Sequence, residues 1–420
     1  MISVASDLLP VEQALERILS ALAPLPAEMV PVSHALGRVT AEPIRARRTQ
    51  PPVDVSAMDG YAVRAADVAT VPATLRRVGS APAGGRYPGI LGPGEAVRIF
   101  TGGPVPDGAD TIVLQEDVDA SAEADGAAIT VREGAPAGTF VRRAGLDFRT
   151  GDVGVPAGRR LTARDIGLAA AMNVPWIAVT RRPRVAILST GDEIVRPGEL
   201  VEATGIVSSN AYALAAVVRA VGGEAVDLGI APDDRDALRA LAAGARGADL
   251  LVTSGGASVG RHDLVQEALG DGSLGADALK VGFWKIAMRP GKPLIFGHLG
   301  AVPMLGLPGN PVSTVVCATV FLRPALERML GLAAGPAVPA EAVLAVDLKP
   351  NDQRQDYMRA TSEPGPDGRR LVTPFVKQDS SMMSRLAEAD CLVVRPPHDP
   401  ARSAGDRIAI LPLDAGFLSI

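Results

Sequence analysis

The sequence predicts a multidomain α/β plus β protein, in which one parallel-sheet α/β domain is flanked by β-rich modules. Its 420 residues, at roughly 150 per domain, give about three domains as a prior. From Arg184 to Leu330, strand-like runs alternate with helical patterns of roughly 10–15 residues, the signature of βαβ units. Before and after that region the chain is punctuated by Gly and Pro and carries short strand-like runs.

The elements follow in order. Leu8, Leu9, Val11, Leu15, Ile18 and Leu19 recur at helical spacing over 7–23. Short runs at 75–78, 96–100, 110–114 and 128–132 define a β-rich module over about 50–145, and helical patterning returns at 160–180. Next come the strands RVAILS, EAVDLGI and ADLLVTS, interleaved with the helices NAYALAAVVRAV, DRDALRALAAGA and HDLVQEAL. Ser208–Ser209–Asn210 is the predicted cap of the first of these helices, and Asp233 or Asp234 lies at the start of the second. FWKIAM, PLIFGHL and VPMLGL precede a long helix, VSTVVCATVFLRPALERML. After the linker GLAAGPAVPA, the runs EAVLAVDL, RRLVTPFV, CLVVRP and DRIAILPL read as a small β-barrel or sandwich.

Composition excludes several classes. Lys and Arg number 42 against 47 Asp and Glu, a net charge of −5 without a basic face, which argues against nucleic-acid binding. No apolar run reaches the ~18–20 residues of a membrane span, and the amphipathic N-terminus does not resemble a secretory signal, so a soluble cytoplasmic protein is expected. Cys317 and Cys391 lie in apolar surroundings, which predicts core packing rather than a disulfide framework or a zinc site. The four His residues are scattered.

In an open α/β sheet, ligands bind beyond the carboxyl ends of the strands. Those ends lead into Ser189–Glu193, Asp233–Asp234, Ser254–Gly260 with Asp263, and Gly306–Ser313. Glycines let a backbone approach phosphate oxygens without a Cβ in the way, and a following helix N-terminus adds about half a positive charge. GGASVG and GLPGNPVS suit that use, with Asn310 placed to cap and Pro311 at the first helical position. Each loop alone reads equally as a tight strand-to-helix turn; two at one sheet edge favour an anion site. Asp192, Glu193, Asp233, Asp234 and Asp263 either cap helices or hold Mg²⁺, which takes one or two carboxylates plus substrate phosphates. Two of the five lysines lie in Phe283–Lys292. Lys285 and Arg289, evenly spaced, are expected on one face of a strand, as cationic clamps or as edge protection.

SAMDGYA, TGGPVPDGAD, STGDE, SGGASVGRHD, FWKIAMRPGKP and GLPGNPVS occur in the order seen in the molybdopterin molybdenumtransferase (MoeA, gephyrin E domain) family, which the chain resembles from about residue 10 to its end. The resemblance implies a molybdopterin-binding type of α/β domain at 181–331, a discontinuous linker domain of 1–48 and 146–180, a β-rich domain inserted at 49–145, and a C-terminal β-barrel at 332–420. It implies a homodimer whose active site joins the α/β domain of one subunit to the SAMDGYA module of the other. It also implies Mg²⁺-dependent insertion of molybdate into adenylyl-molybdopterin with release of AMP. An upstream molybdopterin adenylyltransferase and downstream molybdoenzyme maturation proteins are the implied partners. By position, Asp59, Thr101, Glu193, Asp263, Lys285, Pro308 and Pro311, with Arg354, Arg359 and Ser380 in the barrel, correspond to family functional residues. Joined to the strand-end reading, this makes Asp59, Glu193, Asp263, Lys285 and Arg289 the catalytic candidates and Asp192, Glu193, Asp234 and Asp263 the metal candidates. Thr101, Ser254, Gly255, Gly256, Ser258, Lys292, Pro308, Gly309, Asn310, Pro311, Ser313, Arg354, Arg359 and Ser380 become substrate-binding candidates. Arg289 stands where many members carry lysine; it keeps the charge but presents a planar fork. A non-catalytic molybdopterin carrier or scaffold is the alternative, and an adenylyltransferase acting one step earlier is a third reading.

Overall fold

The βαβ alternation builds a six-stranded sheet in a computed structural model that describes residues 8–413, except 121, 123, 256–263, 271–274, 276–277 and 366–367. Its strand order is Glu224–Ala231, Arg184–Thr190, Leu250–Ser254, Val302–Leu307, Ile295–Leu299, Leu279–Trp284. The first four are parallel. Ile295–Leu299 runs antiparallel to both of its neighbours, so the sheet is mixed rather than parallel throughout. The reason is connection length: only Gly300 and Ala301 separate Leu299 from Val302, far too few residues for a crossover, so the chain turns back as a hairpin. Strand Arg184–Thr190 lies between the next two strands in sequence, so the chain leaves it first to one side and then to the other. That reversal creates a switch-point crevice at the strands' carboxyl ends.

Helix Asn210–Val221 ends at Gly222 in the left-handed region, and helix Arg235–Ala242 is capped by the Asp234 side chain. The long helix predicted over 312–330 is continuous but widens to a π-turn at Ala318–Leu322. Pro324, which lacks an N–H and would clash with an α-helical carbonyl, follows directly. Apolar faces of this helix, of helix Val11–Ser20 and of the sheet share one core with Tyr357, Leu392 and Leu411 from the C-terminal region.

The C-terminal region is a closed five-stranded barrel rather than a sandwich: strands 355–364, 370–374, 340–344, 407–412 and 391–395 pair in succession, and 391–395 returns to 355–364. Strand Gln355–Pro364, whose polar residues follow no period of two, was not among the expected runs. The β-rich module is a six-stranded sheet, which includes an unexpected strand Gly60–Val63. Gly60 is required there, since a Cβ would fall 2.0 Å from the Val113 carbonyl oxygen. Between these regions, Ala27–Pro31 pairs with Trp176–Thr180, and Ile44–Arg45 with Val153–Val155.

Candidate active site

A cleft of about 1280 Å³ opens at the switch point. Ser189, Thr190, Glu193, Asp233, Asp234, Ser254, Gly255, Pro308, Gly309, Asn310, Pro311 and Ser313 all line it. The strand-end turns singled out from sequence therefore converge. Gly256, Ser258 and Asp263 lie outside the described residues.

The turns are tied together by a side chain that sequence reasoning treated as a cap. Asn210 Nδ2 donates to Ser254 Oγ at 2.8 Å and to the Gly309 carbonyl at 2.7 Å, bridging two glycine loops. Ser209 holds the N-cap position without a side-chain capping bond. Gly255 has φ +93°, and a Cβ there would lie 2.6 Å from the Thr190 carbonyl oxygen. Among the described residues, the buried hydroxyls of Ser189 and Thr190 have no hydrogen-bond partner.

The carboxylates divide by role. Asp234 Oδ1 accepts from the backbone N–H groups of Asp236 and Ala237, capping the helix, and the residue also lines the cleft. Asp192 Oδ1 accepts from the Asp233 N–H at 2.9 Å. Burial, then the charges of Asp192 and Glu193, push the Asp233 carboxyl above its ordinary value. Among the described residues no three His, Cys, Asp or Glu side chains are grouped to hold a metal ion.

The basic box departs from expectation. FWKIAM is not one strand: Leu279–Trp284 ends where Lys285 takes φ +87°, and Met288–Arg289 pairs instead with Gln355–Asp356 of the barrel. Lys285 and Arg289 thus do not share a strand face. Lys285 Nζ lies over the Trp284 ring, 4.3 Å from its centroid. Arg289 is held by Asp356, by Asp352 at 3.2 Å and by Asn351 Oδ1 at 3.1 Å, so its fork is engaged by the barrel rather than open as a clamp. The Lys292 carbonyl accepts from the Ile286 N–H, closing this turn, and Pro293 reaches the cleft wall.

The barrel also contributes a loop. Asn310 Nδ2 donates to Ser380 Oγ at 2.9 Å, and the Val312 N–H donates to the Ser380 carbonyl. Arg359, only 1% exposed, donates to Gln378 Oε1 and to the carbonyls of Lys377, Asp379 and Met382. Its expected contact with substrate is therefore replaced by a grip on the loop that presents Ser380. Arg354 pairs with Asp352 at 2.6 Å, and that hydrogen bond holds the Asp352 carboxyl at about 2.

In the β-rich module, SAMDGYA and TGGPVP, given roles only by the resemblance, meet in space. Asp59 Oδ1 accepts from the Thr101 N–H at 2.7 Å and from its hydroxyl at 2.8 Å, which lowers the Asp59 carboxyl. Beside them, Arg98 donates to the Gly60 carbonyl and lies over the rings of Tyr61 and Phe100. Arg98 and Asn210 were missed because each depends on contacts remote in sequence.

A three-part α/β and β architecture with an anion-suited switch-point cleft defines the class, and comparison with known proteins narrows it. Residues 9–173 match the MoeA N-terminal region (domain I and II), 186–328 a probable molybdopterin binding domain, and 341–413 the MoeA C-terminal region (domain IV). The chain is 35% identical to a molybdopterin molybdenumtransferase of a Nostoc strain, over 92% of this chain and 88% of that one. It is 33% identical to the Haemophilus influenzae protein of the same name, over 97% and 99%. A crystal structure of a molybdopterin biosynthesis MoeA protein from Pyrococcus horikoshii aligns over 98% of this chain and all of that one, with TM-score 0.84 and 32% identity. The chain belongs to the molybdopterin molybdenumtransferase (MoeA) family. Among the described residues no helix is long and apolar enough to cross a membrane.

Proposed function

We propose that this chain is a molybdopterin molybdenumtransferase, inserting molybdate into adenylylated molybdopterin in a Mg²⁺-dependent reaction that releases AMP. The observation that carries this reading is the switch-point cleft, in which glycine turns, serine and threonine residues and carboxylates line one space. The relatives' name supplies the activity, and the cleft supplies the means.

Two anions must meet here against their mutual repulsion. Gly255 and Gly309 let backbone approach the substrate phosphates, and Ser254, Ser313, Asn310 and, from the barrel loop, Ser381 offer hydroxyl and amide groups around them. Lys285 and Lys292 remain the cationic candidates, whereas Arg289 serves by fastening the α/β region to the barrel. Burial first, and then the like charges of Asp192 and Glu193, raise Asp233, and a divalent ion at this sheet edge would offset those charges. Asp192 and Glu193, with Asp263 from the sequence, would hold Mg²⁺, which offsets phosphate charge and polarises the anhydride. Asp59, fixed by Thr101, would enter the cleft of a second copy in a cytoplasmic homodimer. The domains are taken as 1–48 with 146–180, 49–145, 181–331 and 332–420.

The test is AMP release from adenylylated molybdopterin by the purified protein, with and without molybdate and Mg²⁺. Release that requires both is expected. Saturable binding without release would instead make the chain a carrier.

A further inference from the structure

Asn210 opens helix Asn210–Val221, where local chemistry gives it no task. Ser209 holds the N-cap position, no side chain makes a capping bond, and asparagine is a poorer helix former than alanine. Its amide is committed elsewhere. Nδ2 carries two protons and both are used, one on Ser254 Oγ at 2.8 Å and one on the Gly309 carbonyl at 2.7 Å. A carbonyl can only accept, so Gly309 fixes which end of the amide faces the loops. The two loops lie against each other: a Cβ on Gly309 would stand 3.5 Å from Gly255 Cα, and the Gly255 N–H donates to the Leu307 carbonyl. The turn at Pro308–Pro311 is held from other directions as well. Asn310 ties it to Ser380 of the barrel, and the Thr314 hydroxyl donates to the Pro308 carbonyl at 2.6 Å. Asn210 adds the constraint across the seam between the glycine loops, and it lines the cleft there. Because a peptide is planar, holding the Gly309 carbonyl also sets the direction of the Asn310 N–H.

We propose that Asn210 is a positioning residue for the reaction: its amide, bridging Ser254 to Gly309, fixes the spacing and peptide orientation of the two glycine loops that receive the substrate. This rests on the transferase reading of the cleft. Asn210 acts through the loops, so its loss is felt in how well substrate is held rather than in the chemical step.

Asn210→Ala removes both bonds. In Asn210→Asp the Ser254 hydroxyl can turn to donate, but the Gly309 carbonyl meets a second acceptor, so this variant isolates the Gly309 bond. AMP release is measured against adenylylated molybdopterin at saturating molybdate, with equilibrium binding of the same compound and melting alongside. Both variants are expected to raise KM and Kd about tenfold, the loss of one or two net hydrogen bonds. Values of kcat should stay within about twofold, and Tm should fall by no more than about 4 °C. Asn210→Asp, which preserves volume, carries the test should Asn210→Ala fail to fold. Unchanged KM and Kd would overturn the proposal, as would a larger loss of Tm with unchanged KM in the folded fraction, the result of a merely structural role. A fall in kcat with KM and Kd unchanged would also overturn it, by placing Asn210 in the chemical step. Wild-type protein that binds the adenylylated compound but releases no AMP would sink the transferase reading, and Asn210 would be judged on Kd alone. Wild-type protein that does not bind it would overturn both.

Discussion

The C-terminal barrel and the switch-point cleft both bury polar side chains, but the barrel meets its buried arginines fully while the cleft leaves two hydroxyls unmet. In the barrel, Arg395 donates to Asp399 at 2.9 Å and to the Lys349 and Pro400 carbonyls, while Arg402 closes on the other oxygen of Asp399 at 2.6 Å. Arg359 is likewise met by an entire loop. In the cleft, Ser189 and Thr190 lack partners, and Asp233 faces two like charges. A buried charge met on every side holds the fold together, whereas the cleft leaves some of its polar groups without a protein partner.

The largest break in this comparison comes from Asp399→Ala. Removing one partner of a buried pair leaves Arg395 uncompensated, a loss of about 3–5 kcal/mol in urea unfolding, with AMP release per folded molecule unchanged. Burial alone would raise the Asp399 carboxyl, but the bonds from Arg402 and Arg395 outweigh it and hold it low. That stability is therefore present at neutral pH and lost as the pH falls below the ordinary carboxylate value toward the lower folded one.

A smaller effect separates a cap from a ligand. Asp234→Ala should cost about 1 kcal/mol of stability through the lost cap on helix Arg235–Ala242. Abolished Mg²⁺ dependence in a normally stable variant would return Asp234 to the metal candidates. Smallest of all is Asp233→Asn. Its raised carboxyl makes folding less favourable above the folded value and not at all below the unfolded one. The variant should gain a few tenths of a kcal/mol at neutral pH, within the ±0.5 kcal/mol of surface changes. A loss of stability would mean that the carboxylate is already neutralised by the protein.

The glycine turns, the strand–helix alternation and the acidic strand ends were legible because each is a local requirement on the backbone. Arg289 was misplaced for the opposite reason: even spacing assumes an unbroken strand, and the positive φ of Lys285 ends that strand and hands Arg289 to the barrel. Arg359 carries a charge that reads as a ligand for anions until burial and four acceptors account for it.

By itself, the sequence determined the strand–helix alternation of the α/β region, the strand-end position of the cleft and the residue types around it, because hydrophobic period and turn chemistry act over a few residues. Tertiary structure alone decided which polar groups are satisfied. Asn210 bridging Ser254 to Gly309, Asp59 bound by Thr101, and the two orphaned hydroxyls all follow from hydrogen-bond geometry between segments tens of residues apart or more, which no local pattern encodes.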